Sequence, residues 1–145
     1  MKLLPALLAL AALAAQAAHA GPEAQRAQRN YTQYCSGCHV ADGSGSPAKG
    51  IPAMQDGALG RFLDVPGGRD YIVQVPGVMN SGLKDEDVAQ LMNWLVPRMD
   101  PSRSAPDYTA DEIATLRRTR PLDVAATRQG LIEQLTKQHH GDRQP

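Results

Sequence analysis

The stretch Cys35-Ser36-Gly37-Cys38-His39 spells C-x-x-C-H, the attachment sequence of a covalently bound haem. The spacing follows from the chemistry. Two thiols separated by two residues stand about one helical turn apart, so each reaches one vinyl-derived carbon of the same porphyrin and forms a thioether. The next residue presents its imidazole to the iron, which makes His39 the proximal axial ligand. Cys35 and Cys38 are the only cysteines of the 145-residue chain, so the pattern implies one haem c and no structural disulfide.

Two other readings of the pair are weaker. A thioredoxin-type redox pair opens a helix after a strand, and no strand pattern precedes Cys35. A closed zinc site takes four ligands, and no second Cys/His pair stands nearby; His139 and His140 lie far downstream in a polar tail.

The N-terminus reads as a signal peptide over residues 1–20. Lys2 supplies the positive start, Leu3 to Ala15 form an apolar run interrupted by Pro5, and Ala18-His19-Ala20 is a small-x-small cleavage pattern. Cleavage after Ala20 leaves Gly21 as the first residue. The apolar run falls short of the roughly 20 residues that span a bilayer, so no stable membrane insertion is expected after cleavage. The full chain carries 15 Lys+Arg and 15 Asp+Glu, and losing Lys2 leaves 14 against 15. That near-neutral balance gives no footing for nucleic acid or a polybasic membrane contact. With one Phe and one Trp, aromatic core residues are few, and a buried porphyrin would fill that gap.

Residues from about 23 to 34 are patterned as a helix. Ala24, Ala27, Tyr31, Tyr34 and Cys35 share a face, with Arg26, Arg29 and Gln33 opposite. Asp42-Gly43-Ser44-Gly45-Ser46-Pro47 breaks regular structure, and Gly50-Ile51-Pro52-Ala53-Met54 continues as loop. Gly67-Gly68 introduces residues 69–75, read as a helix although Ile72, Val73 and Val75 also permit a strand. The next helix places Val88, Leu91, Met92 and Leu95 on one face and Trp94 at its margin. Asp85, Glu86 and Asp87 fill its first turn, where the helix dipole favours negative charge, and Pro97 is expected to end it.

Residues from about 22 to 99 together resemble the class I monohaem c-type cytochromes. The resemblance rests on an aromatic-bearing first helix, C-x-x-C-H, the Asp42-Gly43-x-Gly45 loop, a glycine-rich middle with Gly60, Phe62 and Gly67-Gly68, and a last helix carrying Trp94. It implies an all-α fold wrapped around one haem over residues 21–100, attached on the periplasmic side of a bacterial membrane. It also implies that the first and last helices cross, bringing Tyr31 or Tyr34 to Trp94. Members of that family commonly complete the iron with a methionine from the loop before the last helix. Met79, in Pro76-Gly77-Val78-Met79-Asn80-Ser81-Gly82-Leu83, occupies that place; a thioether sulfur suits low-spin haem iron.

This sequence departs from the family twice. Only three residues separate Met79 from Leu83, and Lys84 stands where a capping Ser is common. Met54 is expected to pack rather than ligate, as are Met92 and Met99. Arg61 and Arg69 are candidate partners of haem propionates, with ordinary solvated arginines as the other reading.

Residues 101–145 form a linker and a helical extension that the class I domain does not need. Residues 100–107 are a linker by composition. Thr109-Ala110-Asp111-Glu112 is a capping box opening a short helix with Ile113 and Leu116, which lasts until Pro121. Asp123 caps a second short helix bearing Val124, Leu131, Ile132 and Leu135, and the end from Gly141 is expected to fray. Either the two helices pack back on the domain, or Arg117, Arg118 and Arg120 form a basic docking patch for a redox partner.

The function expected from these residues is a periplasmic single-electron carrier between a dehydrogenase or other donor and a downstream acceptor, such as an oxidase or another cytochrome. It is not expected to be an enzyme: no catalytic residue is assigned, since no distal acid–base histidine is placed near the haem segment. Two other readings stand beside it. One is a haem-based sensor or small-ligand binder with an open sixth site. The other is the dedicated haem subunit of a dehydrogenase complex.

Overall fold

The structure is a computed structural model that describes residues 21–141. The expected signal peptide and residues 142–145 lie outside the described residues. Helices and two short 3₁₀ turns, Pro47–Lys49 and Gly60–Asp64, are joined by irregular segments, with no strand among the described residues. A single isolated bridge pairs Ser46 with Ile51.

Helix α1, Pro22–Tyr34, begins with proline in its first turn, where the missing N–H costs nothing, and carries Glu23 beside it. Ala27 and Tyr31 are its buried residues. Tyr34, expected on the same face, is 40% exposed, whereas Cys35, the next residue, packs half-buried against the core. Helix α2, Ser36–His39, is a single turn.

Helix α3, Gly68–Gln74, settles the helix-or-strand ambiguity in favour of helix. Its start depends on glycine: a Cβ at Gly68 would lie 1.7 Å from the Phe62 carbonyl oxygen. Val75 is extended, as a residue before proline prefers, and ends the helix. Helix α4, Pro76–Met79, is again one turn.

Helix α5, Asp85–Met99, buries Val88, Ala89, Leu91, Met92, Leu95, Val96 and Met99. It runs two residues past Pro97 rather than ending there. Proline removes one hydrogen bond, but the Asp100 N–H still reaches the Val96 carbonyl at 3.0 Å, so the last turn holds. Helix α1 packs on α5. Tyr31 meets Trp94 with ring centroids 5.9 Å apart, tilted by 49°, and Arg26 grips Asp87 with Nη2–Oδ2 2.9 Å and Nε–Oδ1 2.6 Å.

Residues 100–107, expected as a linker, form an irregular strap bound along its length. Arg103 pairs with Asp64 and Asp100, and the Pro106 and Asp107 carbonyls accept from Arg69. The Tyr108 N–H donates to Asn93 Oδ1, while Asn93 Nδ2 donates back to the Tyr108 carbonyl. Helix α6, Ala110–Arg118, starts on Thr109, whose side chain accepts from the Glu112 N–H at 3.2 Å. Only half of the expected capping box forms, because the Glu112 carboxylate turns away to Arg69 at 2.7 and 2.9 Å.

Helix α7, Val124–Gly141, is 18 residues long rather than short. The cap at Asp123 forms, with Oδ1 accepting from the Ala126 N–H at 2.8 Å. Gly130 falls inside the helix, with open space where a Cβ would stand. Tyr108, Ile113, Leu116 and Leu131 join Tyr31, Val73, Val88, Leu91 and Met92 in one hydrophobic cluster. The extension therefore packs back on the domain and supplies part of its core. No helix among the described residues is long and apolar enough to cross a membrane.

Candidate haem-attachment site

Helix α1 leads into the C-x-x-C-H residues by simple continuation. The Cys35 N–H bonds to the Tyr31 carbonyl at 2.9 Å, and Cys35 then starts the single turn α2. The Cys38 and His39 N–H groups both reach the Cys35 carbonyl, at 3.2 and 2.9 Å. That turn is what holds the two cysteines about one helical turn apart. Both cysteines are free. Cys35 is half-buried against the hydrophobic cluster, and Cys38 is exposed. Burial, and then the neighbouring Cys38, push the Cys35 thiol above its ordinary pKa.

The turn ends on a strained residue. Val40 has φ +65°, a left-handed conformation that a β-branched side chain rarely adopts. Three hydrogen bonds hold it there. The Tyr31 hydroxyl donates to the Val40 carbonyl at 2.7 Å, the Val40 N–H bonds to Ser36, and the Gly43 N–H donates to the same Val40 carbonyl at 3.3 Å. Tyr31 thus serves the helix crossing with its ring and the C-x-x-C-H turn with its hydroxyl.

The loop that follows folds back over His39. Asp42 accepts from the Ser44 N–H at 2.8 Å, and that bond holds its carboxyl below the ordinary range. The Gly45 N–H donates to the His39 carbonyl at 2.9 Å, and the Met54 N–H to the Gly43 carbonyl at 2.8 Å. These bonds bring the Pro52 carbonyl to 3.2 Å from His39 Nδ1. A carbonyl only accepts, so in the neutral ring Nδ1 carries the proton and the lone pair lies on Nε2. Gly45 has φ +70°, and a Cβ there would come within 2.5 Å of the same Pro52 oxygen. Glycine is required at that point.

Covalent haem is the group that the motif implies, and this donor set fits it. Two free thiols stand one turn apart, and the adjacent imidazole has Nδ1 fixed by a carbonyl, which leaves Nε2 as its basic nitrogen. No group of three or more His, Cys, Asp or Glu side chains among the described residues could hold a metal ion by itself. A porphyrin supplies most of the iron's ligands, so the protein need offer only one or two atoms.

Met79 ends α4 and packs, half-buried, against the same cluster as Cys35. Met54, Met92 and Met99 are buried within that cluster. Arg69 is committed elsewhere: it bonds Glu112 and the strap carbonyls and stacks 3.7 Å over the Tyr108 ring. It is therefore not available to a propionate, while Arg61 is exposed. Arg117, Arg118 and Arg120 likewise make intramolecular bonds, to Leu83, Thr115 and Asn80, so all three members of the expected basic patch are engaged within the chain. His139 and His140 sit at the far end of α7, where His140 Nδ1 contacts the Thr136 carbonyl at 2.7 Å.

Sequence reading missed Pro52 and the hydroxyl role of Tyr31. Any residue can offer a carbonyl, so Pro52 left no signal; the Asp42-Gly43-x-Gly45 pattern was the only pointer to the fold-back. No protein-family model matches this chain, and neither a curated protein nor a solved structure matches it.

Proposed function

We propose that this chain is a periplasmic monohaem cytochrome of the class I c-type, and that it carries single electrons between protein partners. The observation that carries the reading is the His39–Pro52 contact beside the paired thiols. It gives the imidazole the tautomer a metal ligand needs, on the residue where C-x-x-C-H requires it.

Bound haem supplies an iron that cycles between Fe(III) and Fe(II). Cys35 and Cys38 would tether the porphyrin, so that it would not dissociate between encounters. His39 would offer its Nε2 lone pair to the iron, with Pro52 keeping the ring from rotating by holding Nδ1–H. Met79 would offer a second, soft sulfur matched to low-spin iron. A ligand pair kept in both oxidation states would keep nuclear rearrangement small, which is what a carrier needs. The partners are a periplasmic dehydrogenase or similar donor and an oxidase or second cytochrome as acceptor.

The test is maturation of the full-length protein in a periplasm competent for haem attachment. Denaturing gel electrophoresis should leave haem on the chain, and Cys35→Ser with Cys38→Ser should remove it. The oxidised spectrum should carry the weak far-red band of an iron–methionine sulfur bond, lost in Met79→Ala. Haem that washes away under denaturation sinks the cytochrome reading. A high-spin spectrum without the band replaces the carrier by a sensor or small-ligand binder.

A further inference from the structure

We infer that the C-terminal extension positions the Met79 segment, with Arg117 as the principal positioning residue. The inference rests on the proposed role of Met79 as iron ligand and adds to it a device that holds the ligand in place.

Within the segment from Val75 to Lys84, the backbone bonds from the Val78 and Met79 N–H groups to Val75, from Asn80 to Pro76 and from Ser81 to Val78 close a single turn and tie it to nothing beyond itself. Its only helix is the single turn α4, and one turn does not persist in isolation. The Ser81 hydroxyl donates to the Val78 carbonyl at 2.8 Å and receives the Leu83 N–H at 3.4 Å, which ties the loop only to itself. Lys84, at the N-cap of α5, offers no side-chain cap.

Support comes instead from residues more than thirty positions downstream. Before the segment, Gln74 is 6% exposed and its Nε2 donates to the Leu116 carbonyl at 3.1 Å. Within it, Arg120 Nη1 donates to Asn80 Oδ1 at 3.3 Å. After it, Arg117 Nη2 donates to the Leu83 carbonyl at 2.7 Å, while its Nε lies 2.8 Å from Asp85 Oδ1. Three fastenings therefore bracket Met79, all from the end of α6 or two residues beyond it. The short gap between Met79 and Leu83 explains why an external clamp is needed: the loop cannot supply its own turn of helix and cap.

The bond to Leu83 is the decisive one, being charge-assisted, short and partly shielded. Asp85, at the start of α5, orients the guanidinium through Nε. Arg117 and Arg120 are thus the fastening of an axial-ligand segment rather than a docking patch.

The experiment uses the haem-loaded, full-length protein and reads two quantities: the far-red iron–sulfur band, and amide exchange over residues 78–83 against residues 35–54. Arg117→Ala is expected to speed exchange at 78–83 about tenfold, the scale of one lost charged hydrogen bond, and to weaken the band. Arg117→Lys, which can still donate to Leu83, should recover most of the band, and Asp85→Asn should keep it. If Arg117→Ala does not fold, Arg120→Ala carries the test, since it removes only a surface contact; the same changes, smaller, are expected. Faster exchange with an intact band overturns the inference, and so does no change in either quantity. A wild-type protein without the band removes the Met79 reading itself, and that failure is visible before any variant is made.

Discussion

The segment that opens with C-x-x-C-H, residues 35–54, and the Met79 segment, residues 74–85, are both short irregular stretches bounded by helices, yet they are held in opposite ways. In the first, nearly every fastening is local: His39 to Pro52, Gly45 to His39, Met54 to Gly43 and Tyr31 to Val40 span at most 13 residues. In the second, the fastenings to Leu116, Arg117 and Arg120 cross 34 to 42 residues. The first segment should survive damage to the extension. The second should not.

The largest effect is expected from Ile113→Ala. Ile113, on the inner face of α6, is fully buried, and deleting such a side chain costs about 2–5 kcal/mol. Urea unfolding should show that loss, and amide exchange should show residues 74–85 opening ahead of 35–54. Equal loosening of both segments breaks the contrast.

Next in size is Gly45→Ala, which acts on the local segment alone. A left-handed φ and a Cβ 2.5 Å from the Pro52 oxygen should cost about 1–3 kcal/mol. The His39 ring should lose its fixed tautomer, readable from its nitrogen chemical shifts, with exchange at 78–83 unchanged. Tyr31→Phe removes one hydroxyl and keeps the ring on Trp94, so about 1 kcal/mol is expected. Its effect should appear first as faster exchange around Val40.

The smallest concerns the Arg69–Glu112 pair at the start of α6. The hydrogen bond from Arg69 holds the Glu112 carboxyl below its ordinary pKa. A depressed pKa gives stability that is complete above about pH 5 and is lost as pH falls through the lowered value. Both side chains are roughly a quarter to a third exposed, so the effect should stay below about 1 kcal/mol. Glu112→Gln should flatten acid unfolding by that amount, and residues 74–85 should again be the first to respond. Acid sensitivity unaltered by Glu112→Gln removes this pair from the extension's hold on the core.

How much was legible varies along the chain in the same way. The helix over 22–34, the acidic start of α5 and the Thr109 cap follow from spacing and capping chemistry within a few residues. The continuation past Pro97 and the 18-residue length of α7 were not legible, because tertiary packing outweighs one missing hydrogen bond or one interior glycine. Arg26 looked like a solvated residue and is a cross-helix partner of Asp87. Arg69 offered itself to a propionate and is instead the hub of the strap and α6.

By itself the sequence determined the helical class, the paired thiols with their histidine, and the glycines that let the following loop turn back. These are properties of neighbouring residues, fixed by backbone sterics and by the reach of a side chain over one turn. Tertiary structure alone decided that the Pro52 carbonyl meets His39, that Tyr31 rather than Tyr34 meets Trp94, and that the extension belongs to the core. It also decided that Arg117 faces the Met79 segment instead of solvent. Each depends on which surfaces bury together, and that free energy is shared among residues far apart in the chain, so no local pattern records it.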